Sequence, residues 1–248
     1  MSYTPGGRAD KFGNQYESMW VANRLLDILF EHKYRSVIVE AIGEDEDGVD
    51  LWVEDFDGNK LGEQCKARNG SSEKWSVSDL KEVLKRIPTH VSDKNNKYFK
   101  LVSPIPFTLL DDLCNDAQTS DNSEAYYTSI VGSSEKKRKI FSQLCKVFNL
   151  DEEDQEDRKQ VYLYLKRFNI EYYPSSDRTL DDLNLKALSI LSGTPSVVVS
   201  LLRSFVIDEK MLGKEINSQY LLNYLAKHDI HPKQKLDDHR LSTAFNTK

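Results

Sequence analysis

Cysteine is scarce in this chain, and the three present, Cys65, Cys114 and Cys145, lie far apart. The number is odd, no Cys-x-x-Cys occurs, and no Cys/His cluster has zinc spacing. That excludes a disulfide framework and a structural zinc site, so reduced thiols are expected. Long apolar runs are also missing. None approaches the ~18 residues needed to span a bilayer. Residues 1–8 lack the apolar stretch of a signal peptide, so a cytoplasmic protein without a membrane partner is expected. No phosphate-cradling Walker A loop exists: Glu215 follows Gly213-Lys214, and no glycine stands five residues earlier. Neither a Gly-x-Ser-x-Gly elbow nor a His-Glu-x-x-His pair is found. His228 and His231 have no acid–histidine cluster around them and read as surface residues.

What remains is a well-charged globular chain. It has 248 residues, 39% of them hydrophobic and 30% charged. That length suits one sizeable domain with an appendage, or two small domains. The net charge of −6 argues mildly against nucleic-acid binding. The average hides an asymmetry, because residues 60–100 carry ten Lys/Arg against five acids. Acid gathers elsewhere, notably in residues 151–157. A local basic patch is enough for phosphate contacts.

Periodicity predicts the elements. A helix is expected over about Gln15–His32, with Val21, Leu25 and Ile28 forming a stripe that Leu26 and Leu29 widen. Glu17, four residues before Val21, continues that stripe and should face whatever the helix packs on. Strands are expected at Ser36–Ile42, Val49–Asp55, Lys60–Ala67 and Tyr98–Ser103. Between the last two, a helix opens at Ser76 and ends before Pro88. The second half reads as helical at Phe107–Ala117, Glu135–Phe148, Leu180–Ser192, Pro195–Val206 and Ile216–Ala226. Gln160–Tyr173 reads as a strand, with the acidic run as the loop before it. The polar stretch from Pro232 to Lys248 shows no core face and suggests a linker to a further module.

The hairpin around Asp57-Gly58 is the most informative feature. A two-residue turn would place Asp50 on the face away from Gln64 and Lys66. A type I turn with Gly58 as a bulge pairs Glu54 with Lys60, Val53 with Leu61 and Val49 with Cys65, and sets Asp50 opposite Gln64. The apolar and opposite-charge pairs favour the bulge. A carboxylate, an amide and an amine sharing a face suit metal-dependent phosphodiester cleavage: oxygen ligands for a divalent cation and a fixed positive charge beside the phosphate. Trp52, on the motif face, is expected to pack under the first helix.

These residues, in this order, resemble the PD-(D/E)xK nucleases, in the Gln-x-Lys variant of the Mrr-like branch. Gly6-Gly7, Tyr16-Glu17, Val39-Glu40, Gly48-Val49-Asp50-Leu51-Trp52 and Glu63-Gln64-Cys65-Lys66-Ala67-Arg68 look like the double-stranded-DNA endonuclease domain of CD-NTase-associated effectors of CBASS, which also caps antiviral STAND NTPases (Avs). The resemblance covers roughly residues 6–105. It implies an α/β fold, with a restriction-endonuclease-like αβββαβ core over residues 1–175 and a mostly helical extension over 176–248.

Mg²⁺ or Mn²⁺ would be held by Asp50, Gln64, the Cys65 carbonyl and Glu17. Lys66 would orient the attacking water and Glu40 would support the ligands. Arg68, Lys74, Lys81, Lys85 and Arg86 would contact DNA phosphates. The implied function is cleavage of double-stranded DNA with little sequence specificity, in a homo-oligomer assembled through a carboxyl-terminal sensor or NTPase module. Two other readings stay open: a catalytically inactive nuclease fold used for DNA binding or assembly, and a plain α/β adaptor.

Overall fold

Val21, Leu25, Leu26 and Ile28 are all buried, and the helix that carries them organises one side of the molecule. The computed structural model describes residues 6–30, 33–40, 48–67, 74–91, 96–207 and 212–233, with side chains described throughout except at 6–14 and 206–207. The expected acidic turn at 43–48, apart from Gly48, and the tail beyond 233 lie outside the described residues, as does Arg68.

In chain order the elements are α1 (Gly6–Phe30), β1 (Tyr34–Val39), β2 (Leu51–Asp55), β3 (Lys60–Cys65), α2 (Lys81–Leu84), α3 (Ile87–His90) and β4 (Lys97–Ser103). Then come α4 (Thr108–Thr119), α5 (Ser123–Tyr126) with a π-helical turn at Tyr127–Val131, α6 (Glu135–Phe148), α7 (Gln155–Lys166) and β5 (Phe168–Tyr172). The chain continues through α8 (Asp177–Ile190), α9 (Pro195–Ile207), β6 (Glu215–Asn217) and α10 (Ser218–Ala226). The fold is mixed α/β. The strands form one six-stranded sheet in the order β5-β4-β3-β2-β1-β6. The pairs β3–β4 and β4–β5 are parallel, and the rest are antiparallel.

The sheet separates two cores. On one face α1 packs with Leu183 and Ala187 of α8, Val198 and Leu202 of α9, and Leu221 and Leu225 of α10 over Val37, Val39, Leu51 and Val53. On the other, α4, α6 and α7 enclose Phe99, Leu101 and Phe168. Trp52 belongs to this second core, not under α1 as expected. Its ring meets His90 edge-on and lies where a Cβ on Gly62 would come within 3.0 Å of it. Glycine at 62 gives that ring its place.

Two expected elements are corrected. Gln160–Tyr173 is not one strand: α7 fills its first half and only Phe168–Tyr172 is extended. Asp154 accepts hydrogen bonds from the amides of Glu156 and Asp157, so the acidic run starts a helix, where carboxylates offset the positive end of the dipole. Val161, Tyr162 and Leu165, spaced by one and three, form the buried face. A helix does end before Pro88, but α2 covers only Lys81–Leu84 and does not open at Ser76. Pro88 itself stands in the first turn of a second short helix, α3, where its missing amide is not needed.

A buried ionic network ties α1 to the sheet. Glu63 is fully buried and accepts from Trp20 Nε1 (2.8 Å), Arg24 Nε (2.9 Å) and Arg24 Nη2 (2.6 Å). Arg24 also binds Asp27 (2.7 Å), which in turn meets Lys186 of α8. Lys100 joins Glu63 (3.8 Å) to Glu171 (2.6 Å). Three acids thus balance three bases, and this balance lets charge sit in a low-dielectric place.

Candidate functional site

The β2–β3 ladder shows the bulged register: Glu54 opposes Lys60, and Val53 opposes Leu61. Asp55 closes the turn, accepting from the amides of Asp57 (2.9 Å) and Asn59 (2.8 Å). Gly58 takes the left-handed conformation at φ 81° that the bulge requires.

The ladder ends at Leu51 and Glu63, and regular alternation ends with it. Val49 packs in the Trp52 core, whereas Leu51 and Val53 belong to the α1 core. Asp50 therefore does not stand square across from Gln64. Its backbone is clamped by Glu63 O (3.0 Å) and Glu40 N (2.8 Å), and its carboxylate turns to accept from the Cys65 amide at 2.5 Å. A side chain thus takes the place of a ladder acceptor where the two strands part.

Glu17 approaches from α1. Burial, then the negative charges of Asp50 and Glu40, push its carboxyl up to about 8. Asp50 is raised to about 6, mainly by burial and by Glu40, against the lowering effect of the Cys65 hydrogen bond and of Arg86. Glu40 itself is exposed, in a left-handed conformation at φ 43° just past β1. The Cys65 thiol is pushed well up by burial and by Asp50 and Glu17. It packs against the α1 core as an inert apolar group.

Gln64 lies on the Trp52 side. In the amide orientation that satisfies both partners, its nitrogen donates to the Gly48 carbonyl and its oxygen accepts from Arg86 Nη1, each at 3.2 Å. Gly48 has φ 71°, and a Cβ there would lie 1.9 Å from Arg86 Nη1. Arg86 therefore reaches inward across a glycine instead of facing solvent. Lys66 follows β3, its amide bound to Val102 O (2.8 Å) and its ammonium 6.0 Å from the Trp75 ring.

The end of the sheet thus brings together Glu17, Asp50, the Cys65 backbone and Arg86. Gln64 is joined through Arg86 on the Trp52 side, and Lys66 follows β3 beside Trp75. Asp50, Gln64 and Lys66 do not form the shared face expected, because alternation breaks where the ladder ends. Glu40 stands at the margin of this cluster. Among the described residues no group of three or more His, Cys, Asp and Glu side chains is placed to hold a metal by itself. A cation here would rest on two carboxylates completed by a carbonyl oxygen. That donor set is hard and oxygen-only, and it carries two carboxylates that resist ionising together, so it fits Mg²⁺ or Mn²⁺.

The basic residues assigned to DNA differ in exposure. Lys74, Lys81 and Lys85 are exposed, but Lys85 pairs with Glu82 (3.1 Å) and Arg86 turns inward. Sequence reasoning also missed Arg24 and Glu63. The available signal was a charged pair, Arg24 and Asp27, set among the apolar positions of α1.

No protein-family profile matches the chain, and no curated protein matches it. Among solved structures, the chain is similar to the Cap4 SAVED/CARF-domain containing receptor of Moraxella osloensis, with 15% identity and a TM-score of 0.50, covering 86% of this chain and 46% of the receptor. The Acinetobacter baumannii Cap4 SAVED/CARF-domain containing receptor, solved with the cyclic trinucleotide 3'3'3'-cAAA, gives 15% identity and a TM-score of 0.48 over 86% of this chain and 44% of the receptor. The chain spans about half the length of the structures it matches. These comparisons correct the expectation of an endonuclease, or an inactive relative, with double-stranded DNA as partner. The M. osloensis protein of like fold is described as a receptor, not as a nuclease. The physical reason for the misreading is that a carboxylate, an amide and a lysine near one hairpin end do not by themselves specify a nucleic-acid partner.

Proposed function

We propose that the Glu17–Asp50 end of the sheet binds a divalent cation, Mg²⁺ or Mn²⁺, and hydrolyses phosphodiester bonds. The longer protein would then be an antiviral receptor of the Cap4 kind, with a cyclic oligonucleotide as its partner. The observation that carries the hydrolytic reading is the pair of half-buried carboxylates, Glu17 and Asp50, each raised in pKa partly by neighbouring negative charge. The order α-β-β-β-α-α-β through residue 103, with two short helices in place of the single one expected between β3 and β4, supports reading this part of the sheet as restriction-endonuclease-like. Fold likeness to the M. osloensis receptor supports the setting.

Asp50, oriented by the Cys65 amide, and Glu17 would hold the cation, with the Cys65 carbonyl oxygen to complete it; the Gln64 oxygen is taken by Arg86. When bound, the cation would acidify a water and offset charge on the phosphate. Lys66 would stabilise the negative charge that builds on the phosphate oxygens. Arg86 holds the Gln64 amide in place and reduces the repulsion felt by Asp50.

The test uses bis(4-nitrophenyl) phosphate and cyclic triadenylate as substrates, with Mn²⁺ present or chelated. Turnover should require the cation and fall by at least about 100-fold in Asp50→Ala and in Lys66→Ala, the size expected for losing a main electrostatic contributor. Turnover equal to wild type in both variants would remove the site.

A further inference from the structure

The basic segment noted in the sequence does not converge on Asp50. Lys60, Lys97 and Lys100 stand at the beginnings of β3 and β4, which run parallel with Lys60 beside Lys97. Asp50 and Cys65 mark the opposite end of the hairpin. At the lysine end a cleft of about 310 Å³ opens, lined by Lys33, Tyr34, Lys60, Tyr98, Lys100 and Asn169, with the Asp55–Asn59 turn at its edge. That volume is at the lower end of what small-molecule sites enclose.

The charges in the cleft are sorted by use. Asp55, the one acid of the lining, is held in place by the turn: it accepts from the Asp57 amide, the Asn59 amide and Asn59 Nδ2 (2.7 Å). Those bonds keep it ionised, so its charge offsets one of the lysines. Lys100 is fixed by Glu171 and Glu63, so it lends position more than net charge. Lys60 would be matched by Glu54 across the ladder, but Glu54 pairs with Arg35 at 3.2 Å. Lys33 lies 5.3 Å from the Tyr34 ring. Lys33 and Lys60 therefore leave the cleft with an excess of positive charge over Asp55, between walls of tyrosine rings, asparagine amides and the apolar side chains of Val53 and Leu61, on a chain of net charge −6. Concentrating positive charge at one cleft of an acidic protein selects anions.

We propose that this cleft binds a phosphorylated small molecule, its phosphate between Lys33 and Lys60 and its organic part against Tyr98. The site is separate from the Glu17–Asp50 centre and does not depend on how that centre is read.

The experiment titrates the full chain with inorganic pyrophosphate and with adenosine monophosphate by calorimetry, in dilute and in physiological salt. Wild type should bind both, more weakly as salt rises. Lys60→Ala and Lys33→Ala should each weaken binding about fivefold or more. Lys81→Ala, which removes the same charge from exposed α2, and Asp50→Ala should leave it unchanged. No binding of either probe overturns the proposal. So does equal weakening by Lys81→Ala, which would reveal a diffuse charge effect. A correctly folded Lys60→Ala protein, checked by circular dichroism, that binds like wild type would do the same.

Discussion

Replacing Arg24 by Met keeps most of the side-chain volume and removes the cation on which Glu63 depends. Glu63 is fully buried, and Arg24 supplies two of its closest hydrogen bonds, at 2.6 and 2.9 Å. Without Arg24 it keeps only Trp20 Nε1 and the more distant Lys100 at 3.8 Å. Removing one partner of a buried pair costs roughly 3–5 kcal/mol, because the other charge stays buried. For a chain of this size that lowers Tm by about 6–20 °C. Removing both charges, as in Arg24→Met with Glu63→Leu, should cost clearly less than the sum of the two single changes. Urea denaturation of the four proteins measures this, with the m value checked for constancy. A single Arg24→Met cost below ~1 kcal/mol, or strict additivity in the double variant, would refute the view that these residues act as one buried unit.

Three further outcomes are expected. Glu17 titrates at about 8 in the fold against 4.5 for a free carboxyl, so the folded state holds its proton more tightly. Stability from this group is present at acid pH and is lost as pH rises from about 4.5 through 8. Glu17→Gln should remove that decline, about 1–2 kcal/mol after solvent screening, in cation-free melts compared at pH 5 and pH 8.5. Gly48→Ala meets both a positive φ and Arg86; it should destabilise by at least ~1–2 kcal/mol, and less in an Arg86→Ala background, where the clash is gone. Gly58→Ala, with open space around its Cβ position but φ of 81°, should cost only the conformational strain, about 1 kcal/mol, in the same denaturation assay.

Much of the architecture was legible because strong periodicity leaves little choice. Glu135–Phe148 is helical over the expected residues, and cross-strand pairing at Glu54–Lys60 was readable from charge and apolarity alone. The failures have identifiable causes. Alternating apolar residues in 161–165 also satisfy one helical face, and the capping aspartate at 154 settled the choice. The three-residue strand β6 is too short to show a period. Trp52 lies on the second core because alternation along β2 turns it away from Leu51 and Val53, and Gly62 makes room for its ring. At the candidate site the sequence indicated Glu17, Asp50 and Lys66. It did not indicate that alternation fails at Val49, that the Asp50 carboxylate bonds the Cys65 amide, or that Arg86 turns inward. Those depend on a left-handed glycine and a strand end, which are features of the backbone and not of composition. Charge counting along the chain also merged lysines that the parallel β3–β4 pairing carries to the far end of the sheet.

The most direct test of the central claim is calorimetric titration of Mn²⁺ into the wild-type chain and into Asp50→Asn at pH 7.5. Asparagine keeps the size of the side chain and a hydrogen-bond acceptor for the Cys65 amide while removing the charge. Wild type should bind the cation at one end of the sheet, more tightly as pH rises past the raised values of about 6 and 8 for Asp50 and Glu17, and Asp50→Asn should lose most of that affinity. Binding that is the same in both proteins, or absent from the wild type at every pH, would contradict it.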